Sequence, residues 1–382
     1  MDLSFDREQK MIKAAAREFL EKECPKDLVR QIENDEKTYS PELWRKMAEL
    51  NWQGLIFPAE YVPIEEGGSG GNFLDLIILM EEIGRALAPV PFLETVILGG
   101  LSVLYGGNEE QKRALLNEIA RGELLFSMGH TERDWFYDTG RFSTIAVREE
   151  DRFRINGSKI FVPFGNVSDF LICVCRTTNT SGKDVGISLF LIDSRRQGVE
   201  WNVLRTIASN NQCEAIFRDV LVPSNSLIGQ YNKGCQTLRA VLERATAAQC
   251  AQMVGGAEKV LEIAVSHAKK RVQFNKVIGS FQAVQHRLAD MLVDLDGAKL
   301  ATYEAAWRLS RMEDSTREVS LAKMWVNQAY RRVCAGAHQV IGGEGVMREH
   351  DMQLYTRRAK LGEFLYGDTK YHREIVARQL GL

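Results

Sequence analysis

Two segments of the chain contain residues suited to binding an anion. Residues 339–345, QVIGGEG, include three glycines, and glycine lets backbone amides approach a ligand closely because it has no Cβ. Residues 271–274, RVQF, offer the guanidinium of Arg271, a bidentate anion donor, beside the ring of Phe274. Both segments also have an ordinary interpretation, as a left-handed helix cap and as a basic helix C-terminus. Alone, each segment predicts a binding site only weakly.

Carboxyl groups that could abstract a proton occur in two segments. Glu243 lies in a Leu-Glu-Arg triplet, and Asp368 follows Tyr366 in the YGDT segment near the end of the chain. A carboxyl group suits proton abstraction because an apolar pocket raises its pKa. The alternative for Glu243 is an exposed ion pair with Arg239, four residues earlier, which contributes little stability. The residues alone favour that surface pair.

Histidine and cysteine do not form a metal-binding pattern. The six histidines, including His130, His350 and His372, show no spacing such as HExxH, and we expect them to pack or to lie at the surface. The seven cysteines are scattered without a CxxC pair, and Cys173 and Cys175 are expected to face one side of a strand. The sequence therefore predicts neither a metal site nor a disulfide framework.

The candidate binding and catalytic residues are distributed over three successive regions of the chain, which differ in their apolar pattern. From Phe5 to about residue 120, apolar residues recur at helical spacing. Residues 121–232 contain short alternating or β-branched runs, separated by EED, NG, TSGKD and SRRQG turns, and residues 233–382 return to long helical periods. We predict an α+β chain with a helical domain (1–120), an antiparallel β domain of barrel or sandwich type (121–232) and a helical bundle (233–382).

The composition restricts the partners. The chain has 382 residues, 45% of them hydrophobic, and 49 basic against 51 acidic side chains give a net charge of -2. This balance argues against general affinity for nucleic acid or anionic membranes, and favours a small molecule or a protein as partner.

The opening residues lack the apolar core of a signal peptide, and no run approaches the roughly 20 apolar residues of a membrane span. We expect a cytoplasmic protein.

Taken together and in this order, the motifs resemble the acyl-CoA dehydrogenase family. The resemblance runs through nearly the whole chain. Its motifs are FDREQKMIKAAAREFLEKECP, WRKMAELNWQGLIFPAEY, EEIGRALAPVP, INGSKIFV, RVQFNKVIGSFQAVQHRLADM, QVIGGEG and REHDMQLYTRRAKLGEFLYGDTKYHRE. It implies an N-terminal α domain, a middle β domain and a C-terminal four-helix bundle, with FAD in the cleft between the middle domain and the bundle. It also implies a tetramer in which the AMP part of FAD reaches the neighbouring subunit.

The resemblance assigns cofactor contacts to several positions. The diphosphate of the partner's FAD would be contacted by Arg271, Gln273 and Phe274, and its other side would be lined by Gln339, Gly342 and Gly343. Asp368 would lie near the same diphosphate. The flavin ring would have four residues near it: Met128, Thr131, Phe161 and Pro163.

Two departures from the family pattern concern the flavin-ring side. The HTERDWFYD segment matches the family's Thr-Glu-Pro-Gly-Ala-Gly-Ser-Asp loop only at Thr131, Glu132 and Asp138, and residues 133–137 are bulky. The family's Trp and Thr beside the ring are replaced here by Phe161 and Pro163, and proline offers no donor for flavin N5.

The family comparison also suggests where the catalytic base lies. Most members carry a glutamate at the position of Tyr366, and tyrosine is a poor base at neutral pH because its pKa is near 10. A subset that includes isovaleryl-CoA dehydrogenase carries the glutamate earlier, in a Leu-Glu-Arg triplet that corresponds here to residues 242–244. The resemblance therefore implies Glu243 as the base, with Arg244 and Tyr366 binding the substrate. Asp368 is the competing acid, and Glu344, in the glycine turn, is expected to be solvated.

The reaction implied is removal of the α proton of an acyl-CoA by Glu243 while the β carbon gives a hydride to flavin N5, and electrons then pass to an electron-transferring flavoprotein. Two alternatives stay open. One is a flavin-dependent oxidase or monooxygenase on the same fold. The other is a subunit of an α2β2 complex whose own flavin site has decayed, which the altered HTERDWFYD segment and Pro163 motivate. The acyl group itself is not predicted.

Overall fold

A computed structural model of the chain describes residues 5–35, 38–68, 70–133, 142–178 and 186–382. Residues 134–138 of the HTERDWFYD segment and residues 180–184 of the predicted TSGKD turn therefore lie outside the described residues.

Helices make up the first part of the chain, and side-chain caps fix where several of them begin. Asp6 and Gln9 form a reciprocal capping box at the start of the first helix, and Asn72 and Asp75 form another at the start of the fourth. The helices are α1 (Arg7–Glu23), α2 (Lys26–Ile32), α3 (Pro41–Glu49), α4 (Phe73–Ala86), α5 (Leu101–Gly106) and α6 (Glu109–Ala120), with a 3-10 turn at Ile64–Glu66 and a π-helical segment at Leu93–Gly100.

A β-sheet follows. Its strands are β1 (Phe126–Gly129), β2 (Ile145–Glu149), β3 (Arg152–Pro163), β4 (Phe170–Arg176), β5 (Ile187–Asp193), β6 (Val199–Leu204), β7 (Gln212–Pro223) and β8 (Leu227–Ile228). Among the described residues these eight strands form one sheet in the order β6-β7-β3-β2-β4-β5-β8, with β1 beside β4. Most neighbours are antiparallel, as predicted, whereas β1 and β2 each pair with β4 in parallel. Alternating apolar positions in β3, β4, β5 and β7 form the core of the sheet.

Long helices make up the remainder. They are α7 (Gly234–Lys270), α8 (Gln282–Ser310), α9 (Thr316–Ile341), α10 (Met352–Phe364) and α11 (Thr369–Gln379). A two-stranded ribbon of β9 (Val272–Gln273) and β10 (Lys276–Val277) connects α7 to α8, with a 3-10 turn at Ile278–Ser280, and a second 3-10 turn, Gly342–Val346, follows α9.

The chain divides into two compact units. The helical unit comprises residues 1–30, 72–88 and 246–382, and in it α9 packs against α8, α10 and α11 while α1 packs against α4. The sheet unit comprises residues 31–71 and 89–245, and in it the π-helical segment packs against β1.

The predicted α+β architecture is confirmed: a helical region, a β region and a second helical region follow one another along the chain. Cys173 and Cys175 both lie in the core of the sheet, on one side of β4, as expected. The predicted turn at Asn156 and Gly157 was wrong, because β3 runs straight through it. Gly157, with a φ of 138°, instead continues β3 opposite a bulge in β7, where the strand pairing shifts register. No helix in the described part of the chain is both long and apolar enough to cross a membrane.

Candidate active site

Strands β1 and β3 of the sheet unit carry the residues expected beside the flavin ring. The hydroxyl of Ser127 donates to the carbonyl of Pro163 at 2.5 Å, and the amide of Ile160 donates to the carbonyl of Thr131 at 2.9 Å. These bonds hold the end of β1 against β3, so the structure brings Met128 and Thr131 close to Phe161 and Pro163. The side chain of Met128 is fully buried, which leaves its backbone as the part that could meet a ligand.

A bulge in β3 makes Phe161 prominent. The pairing of β3 with β7 shifts register between Lys159 and Val162, so an extra residue is inserted into β3. Phe161 lies within this bulge with a φ of 54°, which is uncommon for a bulky side chain, and its ring is 50% exposed. Bulges and strained residues cluster at functional sites because they redirect a side chain out of the regular pleat. This placement suits a ring that faces a ligand.

A buried ion pair anchors the segment after β1 to the same strand. The ammonium of Lys159 lies 2.6 Å from the carboxylate of Glu132 and 4.4 Å from the ring centroid of Phe142, and its side chain is fully buried. The carboxylate also accepts bonds from the amide and hydroxyl of Ser143 and from the amide of Thr144.

The bonds to Glu132 have two consequences. Burial alone would raise the pKa of Glu132, but the charge of Lys159 and the bonds from Lys159 and Ser143 outweigh it and lower the pKa to about 2. The carboxylate also ties residue 132 to residues 143 and 144 further along the chain. Sequence reasoning missed this pair, although Lys159 shares strand parity with the inward-facing Phe153 and Ile155.

The buried side chain of His130 should make the stability of the fold depend on pH. Burial, and then the charge of Lys159, lower the pKa of His130 from 6.5 to about 4. Between these two pH values the unfolded chain binds a proton that the folded chain does not, so the free energy of unfolding falls as the pH falls. The loss over the whole interval is about 3 kcal/mol.

We expect the midpoint of thermal unfolding to decrease more steeply between pH 6.5 and pH 4 in the unmodified protein than in His130→Gln. Thermal melts across this range measure the difference. Parallel pH profiles for the two proteins would contradict the assignment.

In the helical unit, the β9–β10 ribbon presents the predicted anion-binding residues. Residues 274 and 275 have φ values of 54° and 64°, the pattern of a type I′ turn, and the turn leaves the ring of Phe274 86% exposed. Gln273 is also exposed, and the side chain of Arg271 is half exposed. These residues therefore face outward from the unit and are available to a ligand.

The glycine turn lies beside Arg271. Nη1 of Arg271 is 3.7 Å from Oε1 of Glu344, and Gln339 is exposed at the end of α9. A Cβ added to Gly342 or Gly343 would meet no heavy atom within 4 Å, and Gly342 has a φ of 75°. The packing of the chain therefore does not require a glycine at residue 343, and the gap fits close approach by an external group. Glu344 was expected to be solvated, and its side chain is 54% exposed. Its carboxylate also pairs with Arg271.

On α7, in the sheet unit, Glu243 is half-buried and Arg244 is buried. Nη1 of Arg244 donates to the carbonyl of Ala240 at 3.1 Å, and its guanidinium carbon lies 5.1 Å from the ring centroid of Tyr105. Burial is the larger influence on Tyr105, and it raises the pKa of that phenol despite the opposing charge of Arg244. Arg244 is therefore buried and in contact with both Ala240 and Tyr105, one residue after the predicted base.

The turn after α10 contains the other two candidates. Tyr366 is half-buried with a φ of 59°. The carboxylate of Asp368 accepts a bond from the amide of Tyr371 at 2.8 Å and so caps the N-terminus of α11. That role accounts for an acid at residue 368 without catalysis.

A group of three carboxylates in the described residues has the spacing of a metal site: Glu81, Glu82 and Glu258. Basic side chains already neutralise it, since Lys13 lies 2.6 Å from Glu81 and Arg17 lies within 3.0 Å of both other acids. We interpret the group as an ion-pair network that connects α1, α4 and α7 inside the helical unit.

Comparisons with known proteins identify the family. Residues 6–123, 127–220 and 232–381 match the N-terminal, middle and C-terminal domain models of acyl-CoA dehydrogenases. A probable acyl-CoA dehydrogenase of Bacillus subtilis is 31% identical, with 100% of each chain covered. A caffeyl-CoA reductase-Etf complex subunit of Acetobacterium woodii is 30% identical over 98% of this chain and 99% of its own.

Solved structures agree. Butyryl-CoA dehydrogenase from Megasphaera elsdenii superimposes with a TM-score of 0.92 at 27% identity, with 100% of both chains covered. The chain therefore belongs to the acyl-CoA dehydrogenase family. It is an FAD-dependent oxidoreductase, as the resemblance in its motifs predicted.

Proposed function

We propose that the chain catalyses α,β-dehydrogenation of an acyl-CoA thioester, with Glu243 as the base that removes the α proton. The observation that carries this assignment is the half-buried position of Glu243 on α7, directly before the buried Arg244, combined with Tyr366 at the position of the usual glutamate. Half-burial limits the access of water to the carboxylate while leaving part of it open to a ligand, which suits a general base. FAD, when bound, takes the hydride from the β carbon.

Arg244 and Tyr366 serve as substrate-binding residues in this proposal. The guanidinium of Arg244 contacts Ala240 and Tyr105, and in the proposal its positive charge serves the substrate held beside the base. Tyr366 supplies a phenol where an acid would otherwise compete with Glu243 for the α proton.

The residues that the family resemblance assigned to FAD keep that role in the proposal. Met128 and Thr131 on the β1 side, with Phe161 and Pro163 on β3, border the flavin ring, while Arg271, Gln273 and Phe274 bind the diphosphate of FAD in a partner subunit. Gln339, Gly342 and Gly343 line the other side of that diphosphate, near which Asp368 lies. The open space at the two glycines and the exposure of residues 271–274 support this assignment.

A homotetramer would supply these shared contacts. Support comes from large apolar side chains exposed on α8 and α9, where Leu292, Val293, Leu300 and Trp325 are 47%, 68%, 55% and 41% exposed.

We also propose the three-domain division at residues 120 and 232, a cytoplasmic location, and an electron-transferring flavoprotein as electron acceptor. The caffeyl-CoA reductase relative, named as a subunit of an Etf complex, supports the acceptor.

A panel of CoA thioesters tests the function. Anaerobic mixing should bleach the visible flavin absorbance with at least one thioester, and the reduced protein should persist when air is admitted. Rapid reoxidation with peroxide or a hydroxylated product would indicate the oxidase or monooxygenase instead. A chain that purifies colourless, and gains FAD only with a second subunit, would indicate the α2β2 alternative.

Glu344 offers a prediction about cofactor affinity. Its carboxylate pairs with Arg271 and adds a negative charge beside the proposed diphosphate position. Removing that charge should tighten FAD binding by about threefold to tenfold, because unit charges several ångströms apart near a surface interact by about 1 kcal/mol. Reconstitution of apoprotein of Glu344→Gln with FAD, followed by flavin fluorescence, measures this.

Glu349→Gln is the matched control. It removes the same charge from a nearby exposed residue that is not paired with Arg271 in the structure, and its FAD affinity should equal that of the unmodified protein. Equal affinities for Glu344→Gln and Glu349→Gln would contradict a diphosphate site at Arg271.

A further inference from the structure

The turn between α10 and α11 has a strained backbone at its centre. Tyr366 has a φ of 59° and Gly367 a φ of 112°, both in the left-handed half of conformational space. A bulky residue rarely adopts such a conformation, and the conformation persists only where the surroundings enforce it. Two buried titratable groups of the helical unit, His372 and Lys323, provide that enforcement.

His372 bonds to the turn directly. Its ring is 3% exposed, and Nε2 lies 3.0 Å from the carbonyl oxygen of Tyr366 while Nδ1 lies 3.2 Å from the hydroxyl of Ser320 on α9. A carbonyl only accepts, so Nε2 carries the proton and Nδ1 accepts from the hydroxyl. Burial, and then the charge of Lys323, lower the pKa of His372 to about 3, so the ring stays neutral with this one tautomer.

The imidazole also packs against the glycine of the turn. A Cβ on Gly367 would lie 2.6 Å from Nε2 of His372 and 2.5 Å from Cδ1 of Tyr371. The ring therefore occupies the space that any other residue at 367 would need. The bond from His372 and its contact with Gly367 together fix the peptide between Tyr366 and Gly367.

Lys323 secures the other end of the same turn. Its side chain is fully buried, and Nζ donates to the carbonyl of Gly362 at 2.6 Å and to Oδ1 of Asn327 at 2.7 Å. Nδ2 of Asn327 donates to the carbonyl of Glu363 at 3.3 Å. Both carbonyls belong to the last turn of α10, where they lack helical partners, and a cation there complements the helix dipole.

These contacts share one origin, because Ser320, Lys323 and Asn327 recur at intervals of three and four residues along one face of α9. That face bonds to the end of α10 and, through His372, to the centre of the turn. We propose that His372 and Lys323 are positioning residues that hold Tyr366 in the orientation needed for catalysis. The proposal rests on the proposed function, in which Tyr366 binds the acyl-CoA.

The test compares three variants in the FAD-loaded protein. His372→Leu removes both bonds of the ring and should lower kcat/KM for the best thioester about tenfold or more, with full FAD content, because small displacements of positioning groups have effects of this size. His372→Gln keeps a donor and should recover most of this loss. Val333→Ala, at a fully buried position elsewhere on α9, should lower the unfolding temperature without changing kcat/KM.

Tyr366→Ala separates failure of the inference from failure of the proposed function. If Tyr366→Ala lowers kcat/KM while His372→Leu leaves it unchanged, His372 has no positioning role and the inference is wrong. If Tyr366→Ala has no effect either, the substrate role of Tyr366 is wrong and the inference fails with it. Should His372→Leu not fold, Ser320→Ala replaces it, since it removes only the bond that orients the ring, and a twofold or greater loss is then expected.

Discussion

Glu243→Gln is expected to bind FAD normally and to reduce it with an acyl-CoA about a thousandfold more slowly than the unmodified protein, because a positioned general base contributes about 10²–10⁴ to the rate. Glutamine occupies nearly the same space as glutamate but cannot accept the α proton. Retention of FAD is essential to the interpretation, since a loss of flavin would explain the same kinetics without a base. Anaerobic stopped-flow absorbance measures the flavin reduction directly.

Two further substitutions serve as controls for this result. Asp368→Asn removes the competing acid, whose carboxylate caps α11, and should lower the unfolding temperature while leaving a reduction rate within about tenfold of the original. Glu374→Gln changes a glutamate that is 53% exposed on α11 and should have no effect on the rate. Reduction by Glu243→Gln at the rate of Glu374→Gln would remove Glu243 from the mechanism.

Lys159→Met is expected to be the most destabilising of the substitutions considered. It leaves the carboxylate of Glu132 buried without its cation, and breaking a buried ion pair in this way costs about 3–5 kcal/mol. The bonds from Ser143 and Thr144 to Glu132 partly offset the loss, which places the expected cost at the lower end. Thermal melts should show a decrease in the unfolding temperature of about 4 °C, because the entropy of unfolding grows with chain length.

The double variant Lys159→Met/Glu132→Gln tests the reason for that loss. Glutamine keeps a side-chain oxygen that can accept from Ser143 and Thr144 but carries no charge, so it should recover at least half of the lost stability. Lys22→Met is the control, because the Lys22 side chain is 81% exposed and its removal should change stability by no more than about 0.5 kcal/mol. A double variant less stable than Lys159→Met would show that packing, not charge, determines the cost.

The architecture could be predicted from the sequence because it depends on local periodicity. Helical spacing in residues 233–270 and alternation in residues 170–176 are visible in the chain and match α7 and β4. The turn at residues 342–345 was also predictable, because three of its four residues are glycines. Parallel pairing of β1 with β4 was not predictable, since it joins segments more than 40 residues apart and has no local signature.

The Asn156–Gly157 error has a related cause. This dipeptide is a strong hairpin signal when the neighbouring strands pair with each other. Here β3 pairs instead with β2 and β7, and the glycine continues β3 opposite a bulge in β7. Tertiary pairing thus decided a local conformation that composition alone assigned to a turn.

The buried charged groups are the part of the site that sequence reasoning did not recover. Lys159 and Lys323 are fully buried, whereas lysine ordinarily lies at the surface, and their acceptors come from residues 27 and 39 positions away. His372 was expected to pack or to lie at the surface, and its two hydrogen bonds become evident only once α9 and α11 are in contact. The candidate base is a different case, because in the sequence only the family resemblance distinguishes Glu243 from a surface glutamate, whereas the structure adds its half-buried position.

Deprotonation without electron transfer tests the identity of the base most directly. An acyl-CoA analogue with sulfur in place of the β carbon can lose its α proton but has no β hydride to give, and its anion beside oxidised flavin produces a long-wavelength charge-transfer absorbance. The unmodified protein and Asp368→Asn should both develop this absorbance, and FAD-loaded Glu243→Gln should not. Full absorbance in Glu243→Gln would contradict the account.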